Sequence, residues 1–333
     1  MIVIVIPFNI IYSMMLAFNR YVTLYLYSVL IDSGDEYFIE QTRLVLERTA
    51  ETMCGLGSNQ VDMYCNADPL RKGQLMHHFE NLVPEYTSIA TSTQLGPNIF
   101  WTLTALQYVS VTADYNWLKT VAFDYIDLST EYILNQYDAD YGLLRVAGPL
   151  WIDVLVRENY TSDSNAAFVY LADKLVEMYD VVTNDENNDR SVQLRNIRSN
   201  VVAGMNNYLW NTTANDHFIT QLNPDGTTRD FVDYDANLLA VAFGAVDDVD
   251  QINRILTRVD SGNYTHVRGT WCCEVPYSGD AEDCYIVGGS GTVYSFNMII
   301  LLILYFIMQT VMYYYYYSMW RLNSNLSSDR MGR

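Results

Sequence analysis

Two stretches of the chain set a carboxylate close to a tryptophan. The first is Trp151-Ile152-Asp153, inside the run Tyr141 to Asn165, with Arg157 and Glu158 following. The second is Arg268-Gly269-Thr270-Trp271-Cys272-Cys273-Glu274, with Tyr277, Asp283 and Tyr285 after it. Cleavage of a glycosidic bond needs such a pair. One carboxylic acid protonates the leaving oxygen, and a second carboxylate activates water or attacks directly. An indole and an apolar loop beside Asp153 would raise its pKa and keep it protonated at neutral pH. On this reading Asp153 is the general acid and Glu274 the general base. Trp151, Trp271 and Tyr277 stack on sugar faces, while Arg157 and Asn98 bind hydroxyls. The plainer alternative makes Asp153 a helix cap with Trp151 in the core, and Glu274 a solvated residue on a disulfide-stapled loop.

Other constellations carry less. Asp233-Tyr234-Asp235 has the D-x-D form that holds metal–nucleotide complexes in sugar transferases, but the surrounding nucleotide-binding pattern is missing. It is read as the first turn of a helix, where the dipole favours acids. Asp185, Asn187 and Asp189 imitate the start of a calcium loop, yet Arg190 stands where glycine is required and Asn196 where the bidentate Glu belongs. His77-His78 with Glu80 lacks H-E-x-x-H spacing and is read as a solvated loop. His217 and His266 show no pattern. Asp138 and Asp140 are expected to shape the approach to the central loop. No metal and no organic cofactor is implied.

The elements that must position these residues are helices. Asp35 caps a helix running to about Met53. Asn98 to Val111 has helical spacing. Asp114 caps the next helix, with Leu118, Val121, Tyr125, Leu128 and Tyr132 forming its apolar stripe. After the central loop, Ser162 to Ser164 offers cap residues. Phe168, Leu171, Leu175 and Met178 make one stripe, and Leu194, Ile197, Val201, Met205 and Tyr208 another. Asp216 to Asp230 reads as extended around a Pro224-Asp225-Gly226 turn. Asp235 to Val246 and Val249 to Val259 form a helix pair. No strand–helix alternation with a Gly-rich phosphate loop is present, which excludes a dinucleotide fold.

The chain has 333 residues, half of them hydrophobic, and a formal net charge of −20. That acidity argues against nucleic acid and against an anionic membrane surface. Twenty-eight Tyr and six Trp suit both sugar stacking and core packing. Among the five cysteines, Cys54 with Cys65, and Cys284 with Cys273 or Cys272, could each close a short loop. Sequons at Asn159, Asn211, Asn263 and Asn325 point toward a secretory compartment. The N-terminal residues 1–31 are apolar without a basic leader or cleavage site. They are read as an anchor or as first helices. Val293 to Trp320 is charge-free and long enough to span a bilayer. Two readings stand for it, a membrane anchor or a gene-model artefact.

The order of features resembles the six-hairpin glycosidases. A long helix precedes D-x-D-Y-G-L-L (Asp138 to Leu144). Trp151-Ile152-Asp153 follows, then the polar turn opening a helix, Leu209-Trp210-Asn211, Asp233 to Ala240, and the W-x-x-E loop ending at Glu274. The style is closest to glucoamylases and to the glucosidase domain of glycogen debranching enzymes, across roughly Asp35 to Tyr285. The resemblance implies an (α/α)6 toroid and inversion of configuration. It also implies that Trp151 and Asp153 match the W-x-D acid, and that Glu274 matches the base before the last helix. Where the family closes with a final helix, the charge-free block from Val293 stands instead, so an incomplete, inactive toroid is one expectation.

The expected architecture is therefore an all-α (α/α)6 toroid, incomplete at the C-terminus. Residues 32–292 form the catalytic-type domain, 293–320 an apolar segment and 321–333 a polar tail. The expected partner is a carbohydrate substrate, in the secretory pathway, secreted or held at the membrane by the C-terminal segment. The rival is a catalytically inactive, membrane-tethered, carbohydrate-binding toroid.

Overall fold

The structure is a computed structural model, and it describes residues 31, 34–56, 62–80, 83–87, 93–148, 150, 157–261, 265–266 and 269–270. The chain divides into two compact units, Met1–Gly262 with Cys273–Gly291, and Asn263–Cys272 with Thr292–Arg333. Within the second unit the described residues are a small hairpin, β8 (Thr265–His266) against β9 (Gly269–Thr270).

The first unit is rich in helix. Helix α1 (Glu36–Ala50) is capped by Asp35, whose side chain accepts from the Tyr37 amide. After the short α2 (Asp62–Asn66) come α3 (Gly96–Thr112), α4 (Phe123–Leu134), α5 (Ser162–Thr183), α6 (Asp189–Gly204), α7 (Tyr234–Ala242) and α8 (Val249–Ser261). The fold is mostly helical, as expected, with several short antiparallel pairings beside the helices. His78–Glu80 (β1) pairs with Val83–Glu85 (β2), so the segment read as a loose loop is a hairpin. Tyr137–Asp138 (β3) pairs with Leu143–Leu144 (β4). Tyr160–Thr161 (β5), Ile219–Leu222 (β6) and Thr228–Val232 (β7) form one three-stranded sheet. Gly226, at φ 84, makes the β6–β7 turn that Pro224-Asp225-Gly226 predicts. The Cys54–Cys65 disulfide is formed.

Helix α5 is the hub, packing on α3, α6 and α7. Its stripe is as expected: Phe168, Leu171, Leu175 and Met178 are all buried. Two other stripes keep Leu118 and Tyr132, and Leu194, Val201 and Met205, buried, but each turns one position outward. A π-helical turn at Leu118–Ala122 leads into α4, and Ala122, Ile126 and Ile133 are buried while Val121 is 39% exposed. A second π-turn, Met205–Leu209, ends α6 and buries Leu209 in place of Tyr208. A π-turn takes one more residue than an α-turn, so the face toward the core moves on by one.

Three helices begin deep in the core. In α3 every residue from Gly96 to Ala105 is buried, in α5 every residue from Ser162 to Val169, and in α7 the first four. Each carries an asparagine in its first turns that stands in for a strand partner. Asn165 accepts from the Leu144 amide at 2.8 Å and donates to the Leu144 carbonyl. Asn237 does the same to Phe218, accepting at 2.8 Å and donating at 3.1 Å. Asn98 accepts from Leu75 N and donates to Gly73 O. One amide satisfies both backbone groups of the incoming segment, which otherwise would be buried unpaired.

Candidate functional site

Trp151 and Asp153, and Trp271, Glu274 and Tyr277, lie outside the described residues. The residues that bracket the first group are described, and both are tied to acids. Leu150 donates its amide to Asp163 Oδ2 at 3.3 Å. Arg157, only 2% exposed, places Nη2 3.4 Å from Asp233 Oδ2. Asp163 lies in the first turn of α5 and Asp233 caps α7, accepting from the Ala236 amide through Oδ1. Thus the ends of the segment carrying Trp151 and Asp153 are docked on the N-termini of two buried helices. Acids are favoured there by the exposed N–H groups and the dipole.

A third acid completes the cluster. Asp235 follows Asp233 in the first turn of α7 and is 1% exposed. Neither of its oxygens has a hydrogen-bond partner among the described residues, and the same holds for the hydroxyl of Thr161. Burial pushes the Asp235 carboxyl well above the usual carboxylate range, and the charges of Asp233 and Asp163 push the same way, against Arg157. Burial also raises Asp233, with Arg157 opposing. The arrangement is therefore one guanidinium among three carboxyls, and burial with the neighbouring acids favours the protonated form of Asp235. A buried carboxylic acid of this kind can donate a hydrogen bond that an ionised one cannot.

Of the other expected site residues, Arg157 faces this cluster and Asn98 does not join it. The amide of Asn98 is fully buried and spends both N–H groups on Gly73 O at 2.7 Å and Ser129 Oγ at 3.0 Å. It holds the entry to α3. Asp138 accepts from the Tyr160 hydroxyl at 2.7 Å, and that bond lowers its pKa. With Asp140 and Arg145 it lines an open cleft of about 380 Å³ along Asn135 to Asp140. His77 and His78 contact each other through Nδ1 at 2.8 Å. Among the described residues no group of three or more His, Cys, Asp or Glu side chains is placed to hold a metal. Asp185 orders its own turn by accepting from Asn187 N.

His217, which stands in no sequence pattern, is 4% exposed between Asp216 and Asp230, at 2.6 and 3.1 Å. Asn211 joins it by donating to both oxygens of Asp230 at 2.8 Å. The nitrogen that a glycan would occupy at the Asn211 sequon is thus engaged. Asn159 likewise donates its Nδ2 to Asn223 Oδ1.

The D-x-D reading as a helix first turn is correct, with Asp233 as the cap. Sequence reasoning missed that this turn is buried against Arg157 and Asp163. A signal was available, since the turn is followed by Ala236-Asn237-Leu238-Leu239-Ala240, with no charge to keep it in water. No helix among the described residues is long and apolar enough to cross a membrane, and Val293 to Trp320 lies outside them.

No sequence profile of a known family matches the chain. No curated protein matches it either. Among solved structures it is similar to a GH78 family rhamnosidase of Bacillus sp. GL1, at 14% identity and a TM-score of 0.47. The likeness covers 64% of this chain and 22% of that one. The chain thus matches about a fifth of the length of that enzyme.

Proposed function

We propose that the protein is a glycoside hydrolase that inverts configuration, with Asp153 as general acid and Glu274 as general base. The observation that supports this most is the docking of Leu150 and Arg157 on Asp163 and Asp233. It ties the segment bearing Trp151 and Asp153 to a buried polar floor at two helix N-termini. A rigid base of that kind is what a proton donor needs, because its geometry must be held while the glycosidic bond stretches. The ring of helices is part of the same proposal. It is supported by three helices that begin inside, each docking its incoming segment through an Asn.

In the mechanism, the Asp153 carboxyl gives its proton to the leaving oxygen. Glu274 takes a proton from a water that attacks the anomeric carbon from the opposite face. The two carboxyls of such a pair stand roughly 6.5–9.5 Å apart, leaving room for that water. Trp151, Trp271 and Tyr277 offer ring faces to the sugar, and Arg157 orders the floor through Asp233.

The test is hydrolysis of a panel of 4-nitrophenyl glycosides and oligosaccharides by the full chain. Asp153→Asn and Glu274→Gln should each lower kcat by about 10²–10⁴-fold, the usual contribution of a positioned acid or base. Hydrolysis that survives both substitutions would remove these residues from the mechanism. Binding of sugars without any release would favour the rival reading, a carbohydrate-binding toroid.

A further inference from the structure

Asp235 has no task in that mechanism, yet the fold keeps it in a costly place. Buried polar atoms in folded proteins are almost always satisfied. The other two acids of the cluster are. Asp163 Oδ1 accepts from Ser164 N and Oδ2 from Leu150 N. Asp233 Oδ1 accepts from Ala236 N and Oδ2 from Arg157. Asp235 alone of the three leaves both oxygens unused among the described residues, at 1% exposure. A carboxyl that served only as packing would be better replaced by an apolar side chain of similar size.

We propose that Asp235 is a specificity-determining residue that holds hydroxyls of a neutral sugar, in a subsite formed with Arg157 at the N-terminus of α7. The ligand class rests on the glycosidase reading above; the existence of a polar ligand rests on the unpartnered carboxyl itself. The charges around the carboxyl select the chemistry. An anionic group would meet Asp163 and Asp233, and an ammonium group would meet Arg157. A divalent cation needs a set of ligands that the described residues do not supply. A sugar hydroxyl is donor and acceptor at once, and a protonated carboxyl offers one of each, so the two satisfy each other.

The experiment uses the full chain and two variants, Asp235→Asn, whose amide keeps a donor and an acceptor, and Asp235→Leu, which has neither. KM and kcat are measured on whichever neutral-sugar 4-nitrophenyl glycosides are cleaved, and binding of the free monosaccharides is measured by calorimetry. Asp235→Leu should weaken the preferred sugar by at least about tenfold in KM or Kd, while Asp235→Asn stays near the parent. The thermal midpoint should not fall in either variant, which separates recognition from a structural role. Should Asp235→Leu fail to fold, Asp235→Ala takes its place in the same measurements. If the parent cleaves glycosides and Asp235→Leu does so with unchanged KM, the subsite is overturned and the hydrolase reading stands. If the parent only binds a sugar and Asp235→Leu does not, the subsite stands and the hydrolase reading falls. If the parent neither cleaves nor binds any sugar of the panel, both are overturned.

Discussion

Asp235 carries a stability consequence that is separate from binding. In the unfolded chain its carboxyl titrates near the ordinary value of 3.8, and in the fold it titrates higher. Between those two values the native state holds a proton that the unfolded state has lost. Stability therefore falls as pH rises through that window. Asp235→Asn has no such proton to lose, so its stability should decline less from pH 4 to pH 7 than that of the parent. Urea melts of both proteins at several pH values check this. A steeper decline in the variant would contradict it. Asn211 makes the other claim at this scale. Its amide nitrogen is bound to Asp230, so peptide mapping of the protein secreted from a eukaryotic host should find that sequon unmodified. These side-chain facts were only partly legible in the sequence. D-Y-D marks a helix start at once, since short acids cap helices. That the start lies inside the molecule depends on Arg157, distant in the chain, and no local pattern reports it.

Among elements, the buried asparagines explain how the helices and their incoming segments lock together. Asn165 and Asn237 each hold one residue by both backbone groups and also bond the carbonyl four positions back, Thr161 O and Asp233 O. Replacing either with Ala leaves those groups buried and unpaired. A loss of about 1–3 kcal/mol follows for each, and Asn98→Ala should lose as much. Thermal or urea melts read the loss, and unchanged stability in all three would show that water takes over these bonds. The disulfide contributes at the same scale. Cys54 and Cys65 are 11 positions apart, and closing so short a loop is worth about 2–3 kcal/mol. A Cys54→Ser, Cys65→Ser double variant should be less stable by that amount, and reductant should shift its midpoint less than it shifts the parent's. Helix existence was readable from apolar spacing, as Phe168 to Met178 shows. The exact face was not readable where Val121 and Tyr208 turn outward, because a π-turn has no signature in residue types. The β1–β2 hairpin was missed for a similar reason. Its strands are three residues each, too short to show alternation.

For the whole molecule, helices dominate the first unit, and their inward starts gather Arg157, Asp163, Asp233 and Asp235 in one buried cluster. The order of elements along the chain was legible because long amphipathic helices announce themselves. The gathering of acids was not, because it is made by tertiary packing between the starts of two helices, α5 and α7, and the segment at Arg157. The proposed chemistry adds Asp153 and Glu274 to this floor, and its stereochemistry follows from a water placed between two carboxyls. The most direct measurement is proton NMR of the sugar first released from an anomerically pure glycoside. The account predicts that its anomeric signal is inverted relative to the substrate, before mutarotation sets in. A first product with retained configuration, or no released sugar across the panel, would contradict it.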